Sequence, residues 1–206
     1  MSTVLIGMSG IGKSHWSKEL QNQGLERYCC DALIEEKLDE ELKVLGYSGM
    51  QDMAKWMGQP YDKQYHETSK KYLDLEQEVL EEVLIKVERP HHPGFVIDTT
   101  GSVIYLGSGV LSRLSTVARV VYLETPETVK KEMFELYKAD PKPVIWGSSF
   151  FKVNGETNME ALARCYPKLL AYRAGRYANL AHITLDYHQL RMPGFTIDDF
   201  VTLLSQ

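Results

Sequence analysis

The residues with the clearest chemistry are Gly7-Met8-Ser9-Gly10-Ile11-Gly12-Lys13-Ser14, which satisfy G-x-x-x-x-G-K-[ST] at every fixed position. Each fixed residue has a physical task. The glycines let the backbone curl, so that successive N–H groups from Ser9 to Gly12 face a concave nest suited to phosphate oxygens. A helix opening at Lys13 adds the positive end of its dipole. Lys13 neutralises charge on the β- and γ-phosphates, the Ser14 hydroxyl ligates Mg2+, and His15 extends the loop. The expected ligand is therefore a nucleoside triphosphate, ATP, with magnesium. A second magnesium anchor is expected from Phe95-Val96-Ile97-Asp98, an apolar strand ending in the Asp98 carboxylate.

The elements that must position these groups alternate along the chain. Val4-Leu5-Ile6, a segment around Arg27–Cys30, Phe95-Val96-Ile97, Arg119–Leu123 and His182–Leu185 read as short strands. Helical patterns lie at Lys13–Gln21, after an Asp31 cap to about Gly46, at 49–57, from Tyr61 to Glu88, at 109–117, 126–138 and 158–180, and from Thr196 to Leu204. This alternation predicts a three-layer α/β/α fold around a parallel sheet, a single domain over 1–206. On the long helix, Tyr72, Leu75, Val79, Leu80, Val83 and Leu84 mark the apolar stripe. Glu76, Glu78, Glu81 and Glu82 are expected on its solvated side. His91-His92 between prolines reads as an exposed loop. Residues 139–156 lack regular patterning and are expected to form a functional loop.

Composition narrows the partners. The chain has 206 residues, 44% hydrophobic and 25% charged, with a net charge of −5. That balance, without a basic stretch interleaved with aromatics, speaks against nucleic acid and against a membrane surface. No run is long and apolar enough to span a bilayer, and the N-terminus enters a strand pattern directly, so a cytoplasmic protein is expected. Cys29, Cys30 and Cys165 offer neither a disulfide framework nor metal-ligand spacing and read as free thiols in a reducing compartment.

Beyond the loop, the sequence resembles shikimate kinase and its wider group of small-molecule kinases, from residue 3 to about 205. Cys29-Cys30-Asp31-Ala32-Leu33-Ile34-Glu35 is similar to the family's Asp-x-Asp-x-x-Ile-Glu, so the resemblance implies that Asp31 binds the acceptor and serves as catalytic base. Arg173-Ala174-Gly175-Arg176-Tyr177, with Ala181 and Asp186, matches the late motif in which Arg173 would hold an anionic group of the acceptor. Lys142-Pro143-Val144-Ile145-Trp146 resembles the lid motif but carries Lys where the family has Arg, and Lys138 is an alternative phosphate contact. The resemblance further implies a five-stranded sheet in the order 2-3-1-4-5, a mobile lid at about 139–156, and an acceptor-binding helical region at about 31–88. It also implies adenine near Arg191 and Pro193, and a monomer.

The departures concern the acceptor. Cys29 replaces the family's first Asp, and Asp98 is expected to compensate. Thr100-Gly101-Ser102 stands where the family has three glycines, and Leu73 in Tyr72-Leu73-Asp74-Leu75-Glu76 replaces an Arg. These changes speak against shikimate and leave a small hydroxylated, anionic metabolite expected at Asp31, Thr100, Gly101 and Arg173. Gluconate-type and nucleoside-type kinases remain open, as does a nucleotide-binding regulator with little transfer activity.

Overall fold

A computed structural model describes residues 1–205. Five strands form where the apolar runs place them: β1 (Thr3–Ile6), β2 (Glu26–Cys29), β3 (Phe95–Asp98), β4 (Arg119–Leu123) and β5 (Ile183–Leu185). They pair in parallel throughout, in the order β2-β3-β1-β4-β5. Eight helices connect and cover them: α1 (Lys13–Asn22), α2 (Cys30–Val44), α3 (Gly49–Met57), α4 (Tyr65–Val87), α5 (Ser108–Val117), α6 (Glu127–Ala139), α7 (Asn158–Leu180) and α8 (Ile197–Leu204).

The central strands β3, β1 and β4 lack polar alternation because both faces are covered, whereas the edge strands β2 and β5 keep exposed residues such as Glu26 and Thr184. Val4 and Ile6 of β1 pack with the buried faces of α2, α4, α5 and α7. Leu5 points the other way and meets Trp16 and Leu20 of α1 and Phe200 and Leu204 of α8. Trp16 and Phe200 stack with ring centroids 4.3 Å apart. Three layers result, and among the described residues no helix is long and apolar enough to cross a membrane.

Two expectations about helix α2 and helix α4 need correction. The N-cap of α2 is Cys29, so Asp31 lies inside the first turn and does not cap it. Its carboxylate is thereby released from backbone duty. On α4, Glu76 is fully buried with Tyr72, Val79, Leu80, Val83 and Leu84. It stands four residues after Tyr72 and three before Val79, which puts it on the apolar stripe and not on the solvated face. The His pair also divides: His91 is exposed, while the His92 ring lies 3.2 Å from the Tyr28 hydroxyl and 3.3 Å from Glu26.

The irregular segment between α6 and α7 is anchored in its middle. Ile145 and Trp146 are buried, and Trp146 packs edge-on against Tyr137, Phe150 and Tyr166. The Tyr65 hydroxyl on α4 accepts from the Trp146 N–H at 2.7 Å and donates to the Val144 carbonyl at 2.9 Å. One phenol thus fixes two backbone groups of the segment. Replacing it by Tyr65→Phe strands both, and the expected loss is about 1–3 kcal/mol in denaturant unfolding. A loss below about 0.5 kcal/mol would show that the anchor is Trp146 packing alone.

Candidate active site

The 2-3-1-4-5 order puts β3 beside β1 and β2 beside β3, so three loops at the carboxyl ends of these strands converge. The loop after β1 is Gly7–Gly12. Gly7, Gly10 and Gly12 have φ of 143°, 79° and 110°. At Gly7 a Cβ would also lie 2.8 Å from the Leu123 carbonyl oxygen, so only glycine fits there. Arg191 braces the loop from the C-terminal side. Its Nη2 donates to the Ile11 carbonyl at 2.8 Å, while the guanidinium lies 3.7 Å from the Tyr187 ring centroid.

Lys13 is buried at the start of α1, and its ammonium donates to the carbonyls of Gly7 and Met8, each at 2.9 Å. Burial lowers its pKa, opposed by the nearby carboxylates of Asp98 and Asp31. The ammonium is thus held dry on the loop it would share with phosphates.

Asp98 ends β3 in register with Leu5 on one side and Cys29 on the other. Its Oδ2 accepts from Arg27 Nη2 at 2.9 Å and from Ser17 Oγ at 3.0 Å, and Arg27 Nε donates to Ser17 Oγ at 2.7 Å. Its Oδ1 is buried without a hydrogen-bond partner. A desolvated carboxylate oxygen left free beside a phosphate loop fits a hard divalent cation. With Ser14 opening α1, Asp98 would hold Mg2+; the remaining ligands would come from phosphates and water. Among the described residues no group of three or more His, Cys, Asp and Glu gathers as a protein-only metal site.

Asp31 is half-buried across the cleft, and Tyr72 Oη donates to its Oδ1 at 3.3 Å. Burial raises its pKa, with Lys13 pulling it down and Asp98 pushing it up. A cavity of about 210 Å³ joins Asp31 to Ser9, Gly10, Gly12, Lys13, Ser14, His15, Tyr72, Thr100, Gly101, Ser102, Lys142 and Arg173. Arg173 is buried on α7; its Nη2 donates to the Ile145 carbonyl at 2.7 Å, and its Nε has no partner. The Tyr177 hydroxyl donates to the Gly101 carbonyl, and a Cβ on Gly101 would come within 3.2 Å of Arg173 Nη1. Glu76 closes the wall behind Thr100 and Ser102, and burial lifts its pKa to about 7.

A second, more apolar cavity of about 300 Å³ lies on the other side of the loop, between Met133, Leu136 and Tyr137 of α6, Tyr166 and Leu170 of α7, and Tyr187. Lys142 borders both cavities and lies 3.4 Å from Asp140. Lys138 borders neither; it pairs with Glu135 at 2.7 Å and lies over the Phe134 ring. Pro193 sits exposed on a turn after Arg191, and neither residue lines the apolar cavity. The cleft therefore brings together Lys13, Ser14, His15, Asp31, Thr100, Gly101, Lys142 and Arg173 of the residues expected from the sequence, but not Lys138. Ser17, Arg27, Tyr72, Glu76 and Ser102 were missed as site residues. Of these, Tyr72 and Glu76 carried a signal in their places on the apolar stripe and Ser102 one in the altered glycine motif, while Ser17 and Arg27 carried none.

Comparison with known proteins places this geometry in a fold. The chain is similar to shikimate kinase from Bacteroides thetaiotaomicron, at 16% identity and a TM-score of 0.62, over 100% of this chain and 96% of that one. The enzyme from Aquifex aeolicus gives 17% and 0.58, over 100% and 96%. A shikimate kinase from Acinetobacter baumannii, solved in complex with shikimate, gives 22% and 0.56, over 89% and 82%. The chain has the P-loop kinase fold of these proteins. No family model matches it, and no curated protein matches it significantly.

Two measurements test the electrostatics described above. Calorimetric titration of ADP with and without Mg2+ should show the magnesium-dependent gain in affinity fall at least about tenfold in Asp98→Asn, and by a similar factor in Arg27→Met, which leaves Asp98 unsteered. An unchanged gain in Asp98→Asn would remove Asp98 from the metal site. Separately, Glu76 titrates at about 7 when folded against an ordinary 4.5. The folded chain then keeps a proton that the unfolded chain releases, so this group lowers stability as pH rises through that window. Glu76→Gln should flatten the decline measured between those pH values; an unaltered slope would contradict it.

Proposed function

We propose that the chain transfers the γ-phosphoryl group of ATP to a hydroxyl of a small anionic metabolite, with Mg2+. The observation that supports this most directly is that one cavity joins the buried Lys13 ammonium to the Asp31 carboxylate and the Arg173 guanidinium. Phosphoryl transfer asks a protein mainly for alignment and neutralisation of charge, and these are what the residues supply.

In this reading the triphosphate lies along the Gly7–Gly12 loop, and the base occupies the apolar cavity between α6, α7 and Tyr187. Lys13 exchanges its two loop carbonyls for phosphate oxygens. Ser14 and Asp98 would hold Mg2+, whose chemistry there would be to neutralise charge on the phosphoryl oxygens. Asp31 orients the acceptor hydroxyl and takes its proton as the new O–P bond forms and the bond to ADP breaks. Arg173, with Nη2 and Nε committed or buried, holds the acceptor's anionic group through Nη1. Lys142, at the border of both cavities, faces the transferred group, and the segment at 139–156 acts as a lid hinged on the buried Trp146. Residues 1–206 work as one unit, in a monomer, in the cytoplasm.

The rival reading, a nucleotide-binding regulator, predicts that Asp31 has no catalytic part. The roles separate in variants. Lys13→Ala should abolish turnover and weaken ATP binding. Asp31→Asn should reduce kcat by at least about a hundredfold while leaving ATP affinity within a factor of about two. Because the base must be ionised and burial raises its pKa, kcat should fall on the acid side at a pH above the ordinary carboxylate range. Equal losses of ATP affinity in the two variants would refute this division of roles.

A further inference from the structure

Glu76 is a fully buried carboxylate with no ion-pair partner among the described residues. Its Oε1 contacts Thr100 Oγ1, its Oε2 lies 2.5 Å from Ser102 Oγ, and the two hydroxyl oxygens lie 2.9 Å from each other. The three side chains therefore form a closed triangle of oxygen contacts. Thr100 Oγ1 also accepts from the Ser102 N–H at 3.0 Å. Thr100 and Ser102 line the cavity that holds Asp31, Lys13 and Arg173, while Glu76 stands behind them.

Counting protons decides what this wall can offer. A neutral Glu76 brings three protons to three contacts, and the ring closes in either direction around the triangle. An ionised Glu76 leaves two protons, and both hydroxyls spend them on the carboxylate. In every one of these arrangements Thr100 and Ser102 have no side-chain proton left for the cavity. Thr100 Oγ1 is further occupied by the Ser102 N–H. Ser102 Oγ keeps at least one free lone pair.

We infer that Glu76, Thr100 and Ser102 form a specificity-determining subsite, in which Ser102 Oγ accepts a hydrogen bond from an O–H or N–H group of the phosphoryl acceptor. The acceptor then meets three distinct demands: a hydroxyl at Asp31, an anionic group at Arg173, and a second donor at Ser102. A molecule presenting only acceptor oxygens to Ser102 is rejected, because two sets of lone pairs face each other in a site shielded from water. Glu76 acts through the hydroxyls and is a positioning residue. The charged and titratable groups facing it are Lys13, Cys30, Asp31, Tyr72, Arg173 and Tyr177.

The inference rests on the phosphotransfer reading for the identity of the ligand, but binding tests it without turnover. Ligand-observed NMR on the full chain with ADP and Mg2+ would compare matched probes: shikimate against cyclohexanecarboxylate, D-gluconate against hexanoate, and tricarballylate as a probe rich only in acceptors. In the wild type, at least one hydroxylated probe should bind about tenfold more tightly than its bare counterpart, and tricarballylate should bind weakly. Ser102→Ala should erase most of that ratio. Glu76→Met removes the carboxyl from two of the three contacts and leaves two hydroxyl protons for the one that remains, so a hydroxyl proton is freed for the cavity; it should lower the ratio and improve tricarballylate. Thermal unfolding and ADP affinity check that both variants are folded. A ratio untouched by both variants, or no preference for hydroxylated probes in the wild type, would overturn the inference. A hydroxylated probe that binds as expected but is never phosphorylated would refute phosphoryl transfer instead, and would leave the subsite standing.

Discussion

A lysine ammonium held out of water is the feature on which the rest of the site depends. Lys13 is buried, and among the described residues it is satisfied by two carbonyls of its own loop and by the field of nearby acids, Asp98 and Asp31 foremost. Such a charge is costly to bury unless it is paired and hydrogen-bonded. The glycines at 7, 10 and 12 give the backbone its curl, and the acids at 31 and 98 supply the compensating charge. The sheet order then follows as a requirement. Only with β3 between β1 and β2 do Asp98 and Asp31 flank the loop that β1 feeds.

The two acids are prepared differently by their surroundings. Arg27 and Ser17 hold one oxygen of Asp98 and leave the other bare, an arrangement suited to a cation. Asp31 has only a long hydrogen bond from Tyr72 and a raised pKa, an arrangement suited to proton transfer. In the proposed reaction, two carboxylates near one lysine would thus divide the work of binding metal and moving a proton. Arg173 completes the cleft from α7, committed on one side to the Ile145 carbonyl, which links the cavity at Asp31 to the anchored middle of the 139–156 segment.

Much of this was legible in the sequence. Parallel strands such as Phe95–Asp98 announce themselves as apolar runs because both faces are buried, and the glycine loop carries its geometry in its spacing. Helix ends at Gly46 and Gly58 were readable because each takes positive φ. What was not legible depended on contacts distant in sequence. Arg27 and Ser17 look like ordinary surface residues until β2 and α1 bring them to Asp98. Lys138 and Lys142 are indistinguishable in type, yet only Lys142 borders the cleft. Glu76 was misread because its neighbours Glu78, Glu81 and Glu82 suggested one charged face, although its spacing from Tyr72 and Val79 argued for burial.

The most direct test of the central claim follows the phosphorus. The chain would be incubated with γ-labelled ATP, Mg2+ and a panel of small hydroxylated acids, sugars and nucleosides, with Lys13→Ala as the control. The account predicts label in a phosphomonoester of one panel member, absent from the control. Label that stays in ATP, or appears only as inorganic phosphate across the panel while ATP binds tightly, would contradict it.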